Sequence, residues 1–422
     1  MDAFEKLALV SQQTTLESAG EVVDRPGDPI RRQACGYTPL ELRDRFGEDP
    51  LKARLTVKKH EIPIHMAAMP GGRRMPLIKA MLTTACERDC LYCPFRAGRN
   101  ARRLTFRPEE LAKTFYAIHQ RGAADGIFMS TGIFAGGINT QNKLLDAAEI
   151  LRRRLDYRGY LHIKIMPGVE RGQVLQAMRL ADRVSVNLEA PNEDRLRLLA
   201  PQKDFGRELL EPLRWVEEIR GTVPPDQGWR GRWPSSSTQF VVGGAGESDL
   251  EILGTVSHLF RSLGLARTYF EAFTPVEGTP LENHPAEDLR RQQRLYEASF
   301  LLRDYEFALE DMPFGKAGHL PLDIDPKRAY AEAALRQAPV DLNRADRIEL
   351  LRIPGIGPRA AQAILRTRRE TRLRDLHDLR KLGIQSNRAA PYILLDGRRP
   401  PLQLTLIPPS PPNTRAPDPW AA

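Results

Sequence analysis

Three cysteines within eight residues carry the clearest chemistry in this sequence. Cys86, Cys90 and Cys93 follow the pattern C-x3-C-x2-C, Tyr92 directly precedes the third, and the chain has four cysteines in all. Three thiolates on one short loop can bind three irons of a cubane iron–sulfur cluster. The fourth iron would then have no protein ligand and would be open to a small molecule. The spacing therefore predicts a 4Fe–4S cluster that takes part in chemistry.

A structural zinc site is the alternative interpretation of the same loop. Such a site needs four ligands, and Cys35 or His119 could supply the fourth. Cys35 is otherwise interpreted as a lone free thiol. The residues alone leave this alternative open.

The elements on either side of the loop must position it. Short β-rich runs alternate with amphipathic helical stretches between residues 76 and 310, which predicts an α/β fold with a parallel sheet. Six such units favour a partial (β/α)6 TIM-like barrel over a closed eightfold one. The cysteine loop follows the first strand, and active sites of parallel α/β folds lie at the carboxyl ends of strands. The predicted strands span residues 77–82, 126–129, 161–165, 183–188, 238–242 and 267–270.

The remaining segments differ in composition from this alternating region. We expect an irregular N-terminal extension at residues 1–75, with a short helix in its first twenty residues. The barrel occupies residues 76–310 and a connector residues 311–338. A small all-α helix–hairpin–helix domain is expected at residues 339–398, and a Pro-rich disordered tail at residues 399–422.

The basic charge is concentrated in the expected C-terminal domain. The whole chain has a net charge of +9. Residues 336–399 contain fifteen Lys and Arg against seven Asp and Glu, a net charge of +8, so the rest of the chain is close to neutral. This asymmetry indicates an anion-binding module joined to a different kind of domain.

A glycine-containing turn in that module predicts where the anion binds. Asn343 is the expected N-cap of a first helix, and the turn separates it from a second helix. Backbone N–H groups of a tight turn and a helix N-terminus bind phosphate without reading a base. The predicted DNA-binding residues are Gly355, Ile356, Gly357, Arg359 and Arg366.

Composition also constrains the compartment. The 422 residues contain no run of about 18 apolar residues, and the N-terminus lacks the basic and apolar regions of a signal peptide. Clustered cysteines suit a reducing environment rather than a disulfide framework. We therefore expect a cytoplasmic protein with no membrane partner.

The cysteine loop resembles that of the radical S-adenosylmethionine (radical SAM) superfamily. The resemblance implies that Cys86, Cys90 and Cys93 bind a 4Fe–4S cluster whose open iron takes S-adenosylmethionine. It also implies reductive cleavage of that cofactor to a 5′-deoxyadenosyl radical, with Tyr92 packed near the adenine. A low-potential electron donor, such as flavodoxin or ferredoxin, is the implied partner for reduction.

Three further stretches are similar to the superfamily's cofactor motifs. Residues 129–132 stand where the cofactor's amino group is bound, although the usual acid is missing. Residues 185–189 alternate polar side chains on one face, which would suit the ribose, and residues 243–247 resemble the glycine motif. The implied cofactor-binding residues, besides Tyr92, are Ser130, Thr131, Gly132, Ser185, Asn187, Glu189 and Gly244.

Residues from about 70 to 398 resemble one group within this superfamily, the putative DNA modification or repair proteins with a C-terminal helix–hairpin–helix domain. The similarity rests on stretches such as Ser185-Val186-Asn187-Leu188-Glu189-Ala190-Pro191 and Ile353-Pro354-Gly355-Ile356-Gly357. It implies DNA as a partner, and possible association with a uracil-DNA glycosylase-like protein. It supplies no substrate atom.

Other functions remain open from the sequence. The substrate could be RNA or a protein partner, or the cluster could be structural in a non-catalytic nucleic-acid-binding protein. A helix–hairpin–helix glycosylase with a cluster is disfavoured, because those enzymes carry four cluster cysteines after the hairpin and here all four precede it.

Overall fold

The structure of the protein, a computed structural model, describes residues 1–13, 62–68 and 74–401. Cys35 and the expected tail from residue 402 onward lie outside the described residues. The chain divides into two compact units, the first made of Met1–Arg303 and Met312–Asp323 and the second of Asp304–Asp311 and Ile324–Ala422. Within the described ranges, no helix has the length and apolar character needed to cross a membrane.

The first unit is built on one seven-stranded sheet whose strands lie in chain order. Strand β1 pairs antiparallel with β2, and every following pair from β2 to β7 is parallel. The curled sheet forms a half-barrel, which confirms the expected α/β fold of partial-barrel type. The strands are β1 His65–Ala68, β2 Arg74–Met81, β3 Gly126–Ser130, β4 Tyr160–Lys164, β5 Arg183–Ser185, β6 Ser235–Val242 and β7 Arg267–Ala272.

Helices connect successive parallel strands and cover the sheet. Strands β2 and β3 are buried along almost their whole length, as expected when side chains on both faces of a parallel strand are covered. The helices of this unit are α1 Ala3–Gln13, α2 Pro108–Gln120, α3 Gly137–Glu149, α4 Arg171–Leu180, α5 Glu193–Arg197, α6 Glu211–Thr222, α7 Asp249–Ser262 and α8 Leu289–Asp304. Ser248 caps α7 in a capping box with Glu251, and Pro108 occupies the first turn of α2.

Two expectations for this unit need correction. The segment before residue 76 is not wholly irregular, because β1 pairs with the first half of β2 through four residues. Its short sequence, His-Met-Ala-Ala, has no alternating pattern by which a strand could be predicted. Strand β5 ends at Ser185 rather than at residue 188, and Glu189 has a left-handed backbone with φ of 65°.

The second unit is a small helical bundle with its own core. Its buried residues include Leu342, Leu350, Ile356 and Ile364. The elements are α9 Pro326–Ala334, β8 Val340–Asp341, α10 Arg347–Arg352, α11 Pro358–Thr367, α12 Leu376–Lys381, α13 Ser386–Ala389 and β9 Ile393–Leu394. Strands β8 and β9 form a parallel pair, so the unit is not all-α as expected. Strands of two residues are too short to show an alternating pattern, so the sequence could not predict them.

Capping in the second unit also differs from the expectation. Asp346, not Asn343, caps α10, because its carboxylate accepts from the backbone N–H of Glu349 at 2.8 Å. The Asn343 amide instead exchanges two hydrogen bonds of 2.9 Å with the backbone of Leu373. A helix expected at residues 387–395 is shortened to α13 and a single following turn, since Pro391 lacks the N–H that would continue it.

A buried ion pair joins the π-helical turn Ile150–Arg154 to the start of β5. The Arg152 guanidinium lies 2.8 Å from the Asp182 carboxylate, and the two side chains are 1% and 8% exposed. Arg152 also donates to the carbonyl oxygens of Leu180, Tyr157 and Gly159. One side chain therefore satisfies four acceptors between neighbouring elements.

We expect Arg152→Met to lower the free energy of unfolding by about 3–5 kcal/mol, because it leaves a buried carboxylate without its partner. Urea denaturation would measure the change. Arg153→Met is the matched control: that side chain is 68% exposed, and its removal should change stability by no more than about 0.5 kcal/mol. Equal effects of the two substitutions would contradict the role assigned to Arg152.

Candidate active site

The cysteine loop follows β2 and is bonded to two other loops at the same end of the sheet. The backbone N–H of Glu87 donates to Ile133 after β3 at 2.8 Å, and that of Leu91 donates to Leu199 after α5 at 2.7 Å. Within the loop, the Cys93 N–H donates to the Cys90 carbonyl at 3.2 Å. These bonds fix the backbone between the first and third cysteines.

Arg103 holds the two ends of this loop together. Its guanidinium donates four hydrogen bonds of 2.8–3.1 Å to carbonyl oxygens on both sides of the cysteines, those of Thr84, Phe95, Arg96 and Arg99. The sequence did not predict this role of Arg103, because its partners are backbone carbonyl groups, which every residue has, and they form no recognisable motif.

A cavity opens at the carboxyl ends of the strands, above the cysteine loop. It contains about 1100 Å³ of space not filled by protein atoms, part of it open to solvent. All three cysteines of the loop line it, together with the predicted cofactor residues Tyr92, Thr131, Gly132, Asn187 and Glu189. Charged residues that sequence reasoning did not assign also line it, namely Arg88, Lys164, Lys203 and Glu271.

The donor set fits an iron–sulfur cluster better than a single ion. Among the described residues, no three His, Cys, Asp or Glu side chains converge closely enough to hold one metal ion. A cubane cluster has less need of such convergence, since each thiolate binds a different iron. His119, the proposed fourth zinc ligand, instead contacts the Ala124 carbonyl at 2.8 Å and does not line the cavity.

Burial controls the protonation of the thiols in the absence of metal. It raises the pKa of Cys90, and the neighbouring Lys203 ammonium partly opposes this. Burial, with the nearby Cys90 sulfur, raises the pKa of Cys93 to about 12. The raised pKa values favour the protonated forms of Cys90 and Cys93, and metal binding would replace those protons, because a coordinating thiol is deprotonated.

The residues after β3 divide between the cavity and the protein interior. Thr131 and Gly132 line the cavity, and a Cβ added at Gly132 would lie 2.2 Å from the Ala85 carbonyl oxygen. Only glycine permits this approach of the strand end to the cysteine loop. Ser130 is buried below them, does not line the cavity, and its hydroxyl has no hydrogen-bond partner in the described structure.

The expected polar face after β5 is only partly formed at the cavity. Asn187 and Glu189 line it, whereas the Ser185 hydroxyl lies 2.9 Å from His162 Nε2 inside the barrel. Ser185 therefore does not share a row at the cavity with the other two, and its role in cofactor binding stays a prediction. Strand β5 ends there, and alternation along a strand applies no further.

Glu189 is the centre of a buried ionic group. Its Oε1 atom lies 3.1 Å from Lys203 Nζ, and the two side chains are 6% and 9% exposed. Tyr92 also hydrogen-bonds to the Glu189 carboxylate. Burial opposes ionisation of Glu189, but Lys203 and Lys164 outweigh it and lower the pKa of the carboxyl group. Burial, reinforced by the Glu189 charge, raises the pKa of Tyr92, so the phenol stays neutral.

Gly244 has a packing role in the loop after β6. A Cβ there would lie 2.9 Å from Leu199 and 3.1 Å from Phe273, and the residue does not line the cavity. The Glu247 carboxylate shapes this loop by accepting from the N–H groups of Gly243 at 2.5 Å and Ala245 at 3.2 Å. The glycine stretch is thus a closed turn, and Gly244 allows close packing within it.

The other predicted residues lie together in the second unit. Gly355 has a left-handed backbone with φ of 85°, and Gly357 is the N-cap of α11. Ile356 is buried between them, while Arg359 and Arg366 are exposed on α11. Arg368 is used differently, because its guanidinium donates to the carbonyls of Leu342 and Ala345.

A comparison with protein families identifies the first unit. Residues 81–259 match the model of the radical SAM superfamily, from the end of β2 into α7. These residues are similar to a radical SAM domain, and enzymes of that superfamily use a 4Fe–4S cluster and S-adenosylmethionine. No curated protein matches the sequence.

Similar solved structures are more distant. The FeFe-hydrogenase maturase HydG from Carboxydothermus hydrogenoformans is 15% identical with a TM-score of 0.43, over 54% of this chain and 51% of its own. Methylornithine synthase is 17% identical with a TM-score of 0.43, over 64% and 74%. A radical SAM methyltransferase from Sphaerobacter thermophilus is 15% identical with a TM-score of 0.41, over 57% and 70%. This chain spans about half the length of the maturase.

We expect alanine substitution of Cys86, Cys90 or Cys93 to abolish most cluster binding, because each removes the ligand of one iron. Iron and sulfide analysis after anaerobic reconstitution would measure it. Cys35→Ala is the matched control and should retain the iron content of the unchanged protein. Loss of iron in that control would instead indicate a four-cysteine site.

Proposed function

We propose that this radical SAM enzyme acts on DNA, which its second unit binds without reading the base sequence. When bound, the cluster supplies the electron that cleaves S-adenosylmethionine to methionine and a 5′-deoxyadenosyl radical. Reduction needs an external donor, for which flavodoxin or ferredoxin is suitable. A uracil-DNA glycosylase-like protein is a further proposed partner in repair or modification.

The residues of the first unit would hold and orient the cofactor. Cys86, Cys90 and Cys93 would bind three irons. Asn187 is the best candidate for the ribose hydroxyls, because it lines the cavity while Glu189 is already bonded to Lys203 and Tyr92. Apolar side chains among the lining residues would exclude water from the reacting atoms, including Met81, Phe95, Ile133, Ile165, Met166, Leu209 and Phe273.

The turn between α10 and α11 is the observation that carries the DNA proposal. Gly357 caps α11 without a side-chain hydrogen bond, and Pro358 is the first helical residue. The backbone N–H groups of the first turn therefore point away from the helix with no capping acceptor. Together with the helix dipole they favour a phosphate oxygen.

A half-buried lysine, Lys327, supports the back of this turn. Lys327 Nζ donates to the Ile356 carbonyl at 2.5 Å and lies 4.5 Å from the centre of the Tyr305 ring. A Cβ added at Gly355 would lie 3.0 Å from the carbonyl oxygen of Gln385, the residue directly before α13, so the turn packs closely against that segment. The turn is thus held from two sides, as a preformed anion site requires.

Side-chain charge lies on the same helix. Arg359 and Arg366 are seven residues apart on α11, which is two helical turns and therefore one face. A groove beside this face is lined by Gly357, Pro358, Arg359, Ala360, Leu382 and Gly383. The groove is therefore lined by the turns at Gly357 and Gly383, where successive phosphates of a nucleic-acid backbone could bind.

We expect the double substitution Arg359→Gln and Arg366→Gln to weaken DNA binding by a similar factor for all sequences. The slope of log affinity against log salt should fall by roughly one for each phosphate contact removed. Mobility-shift assays at several salt concentrations would measure both quantities.

Arg336→Gln is the control for general loss of charge, because Arg336 lies 2.6 Å from Glu332 and is already neutralised by it. The double variant should bind clearly more weakly than this control. Unchanged affinity of the double variant would contradict DNA binding by α11 and would favour a role of the second unit in protein contacts.

We expect deletion of the gene to change the modified nucleosides of DNA and leave those of RNA unaltered. Mass spectrometry of nucleosides from digested DNA and RNA, with and without the protein, would test this. Complementation with the Cys90→Ala variant should fail, because the cluster would be incomplete. A change confined to RNA would replace DNA by RNA as the substrate, and no change in either would favour a protein substrate.

A further inference from the structure

Lys203 lies beside the cluster ligands and no cofactor motif accounts for it. It precedes the π-helical turn Phe205–Leu210, and its side chain extends into the cavity lined by Cys86, Cys90 and Cys93. Its side chain is 9% exposed, and its ammonium lies 3.1 Å from the Glu189 carboxylate. A positive and a negative charge therefore both lie in the cavity that the cysteines line.

Lys203 is the positive member of this pair. The Glu189 carboxylate, 3.1 Å from Lys203 Nζ, favours the charged form of the ammonium. Lys203 therefore carries a positive charge in the cavity that the three cysteines line.

Charges close to an iron–sulfur cluster affect how readily the cluster is reduced. One-electron reduction adds a negative charge to a cluster and its thiolate ligands. A nearby buried cation stabilises the reduced form, whereas a nearby anion destabilises it, and both effects are strong where water is excluded. The potential of a 4Fe–4S cluster depends on net charge, hydrogen bonds to sulfur and solvent exposure.

We infer that Lys203 and Glu189 together set the reduction potential of the cluster bound by this loop, Lys203 raising it and Glu189 lowering it. The electron comes from an external low-potential donor, such as a reduced flavoprotein or a ferredoxin. The inference rests on the radical SAM domain and is independent of DNA as the substrate.

A purely structural role of the pair makes a different prediction. Glu189 also holds Tyr92 on the cysteine loop, so losing either partner could loosen the loop. Loosening would admit water around the cluster after both substitutions, and both would then shift the potential in the same direction. An electrostatic role shifts it in opposite directions.

The experiment compares Lys203→Gln and Glu189→Gln after anaerobic reconstitution, in the absence of S-adenosylmethionine. Potentials would be measured by redox titration monitored by electron paramagnetic resonance. We expect Lys203→Gln to lower the equilibrium constant for reduction at least tenfold and Glu189→Gln to raise it at least tenfold. For a one-electron couple, tenfold corresponds to about 59 mV.

Two controls separate charge from packing. Lys203→Arg keeps the charge and should stay near the potential of the unchanged protein. Glu251→Gln removes a carboxylate from an ion pair outside the cavity lining, 2.9 Å from Arg195, and should not shift the potential.

Shifts of the same sign, or no shift in either Gln variant, would overturn the inference. Iron content per chain would be measured for every sample. If Lys203→Gln retains no cluster, Glu189→Gln is compared with Glu189→Asp, which keeps the charge on a shorter side chain. A charge effect raises the potential only in the Gln variant, and equal shifts of the two variants would overturn the inference.

Discussion

Three cysteine sulfur atoms, those of Cys86, Cys90 and Cys93, must be held around one cavity, and the first unit depends on this constraint. The loop that carries them is bonded through its backbone to the segments after β3 and α5, at Ile133 and Leu199. Arg103 then joins the carbonyl groups on both sides of the cysteines. These bonds connect protein groups only, so they restrict the conformations of the loop and reduce the conformational entropy that ordering the ligands would cost.

The charged side chains near these sulfur atoms form an ion pair. Buried ions need a partner because desolvation is costly, and Glu189 provides one for Lys203 at 3.1 Å. Glu189 holds a left-handed backbone, with φ of 65°, which costs a non-glycine residue about 1–3 kcal/mol. Two backbone hydrogen bonds to β6, with Gln239 and Val241, secure that conformation. The strain places the carboxylate between Lys203 and Tyr92.

Patterns in the sequence predicted those features that depend on residues close together along the chain. Alternating apolar runs predicted the six parallel strands, and spacing placed the cysteines on one loop at a strand end. Contacts between distant residues could not be predicted this way. Strand β1 is defined by pairing with β2, Asn343 is bonded to Leu373, and Ser185 is turned towards His162. Arg103 contacts carbonyl groups across the loop, and Lys203 lies 203 − 90 = 113 residues from Cys90 along the chain, which no spacing rule covers.

The net charge of the second unit does not show which of its arginines can contact a phosphate. Several arginines of this basic segment are paired or bonded internally: Arg352 with Asp311 at 2.6 Å, Arg372 with Asp396 at 2.9 Å, and Arg368 with carbonyl oxygens. Salt bridges leave the net charge of +8 unchanged, so the long-range attraction of a polyanion remains. Direct contact is different, because a guanidinium bonded to the protein has fewer donors left for phosphate. The exposed residues of α11, rather than the total count, therefore determine where a phosphate backbone could bind.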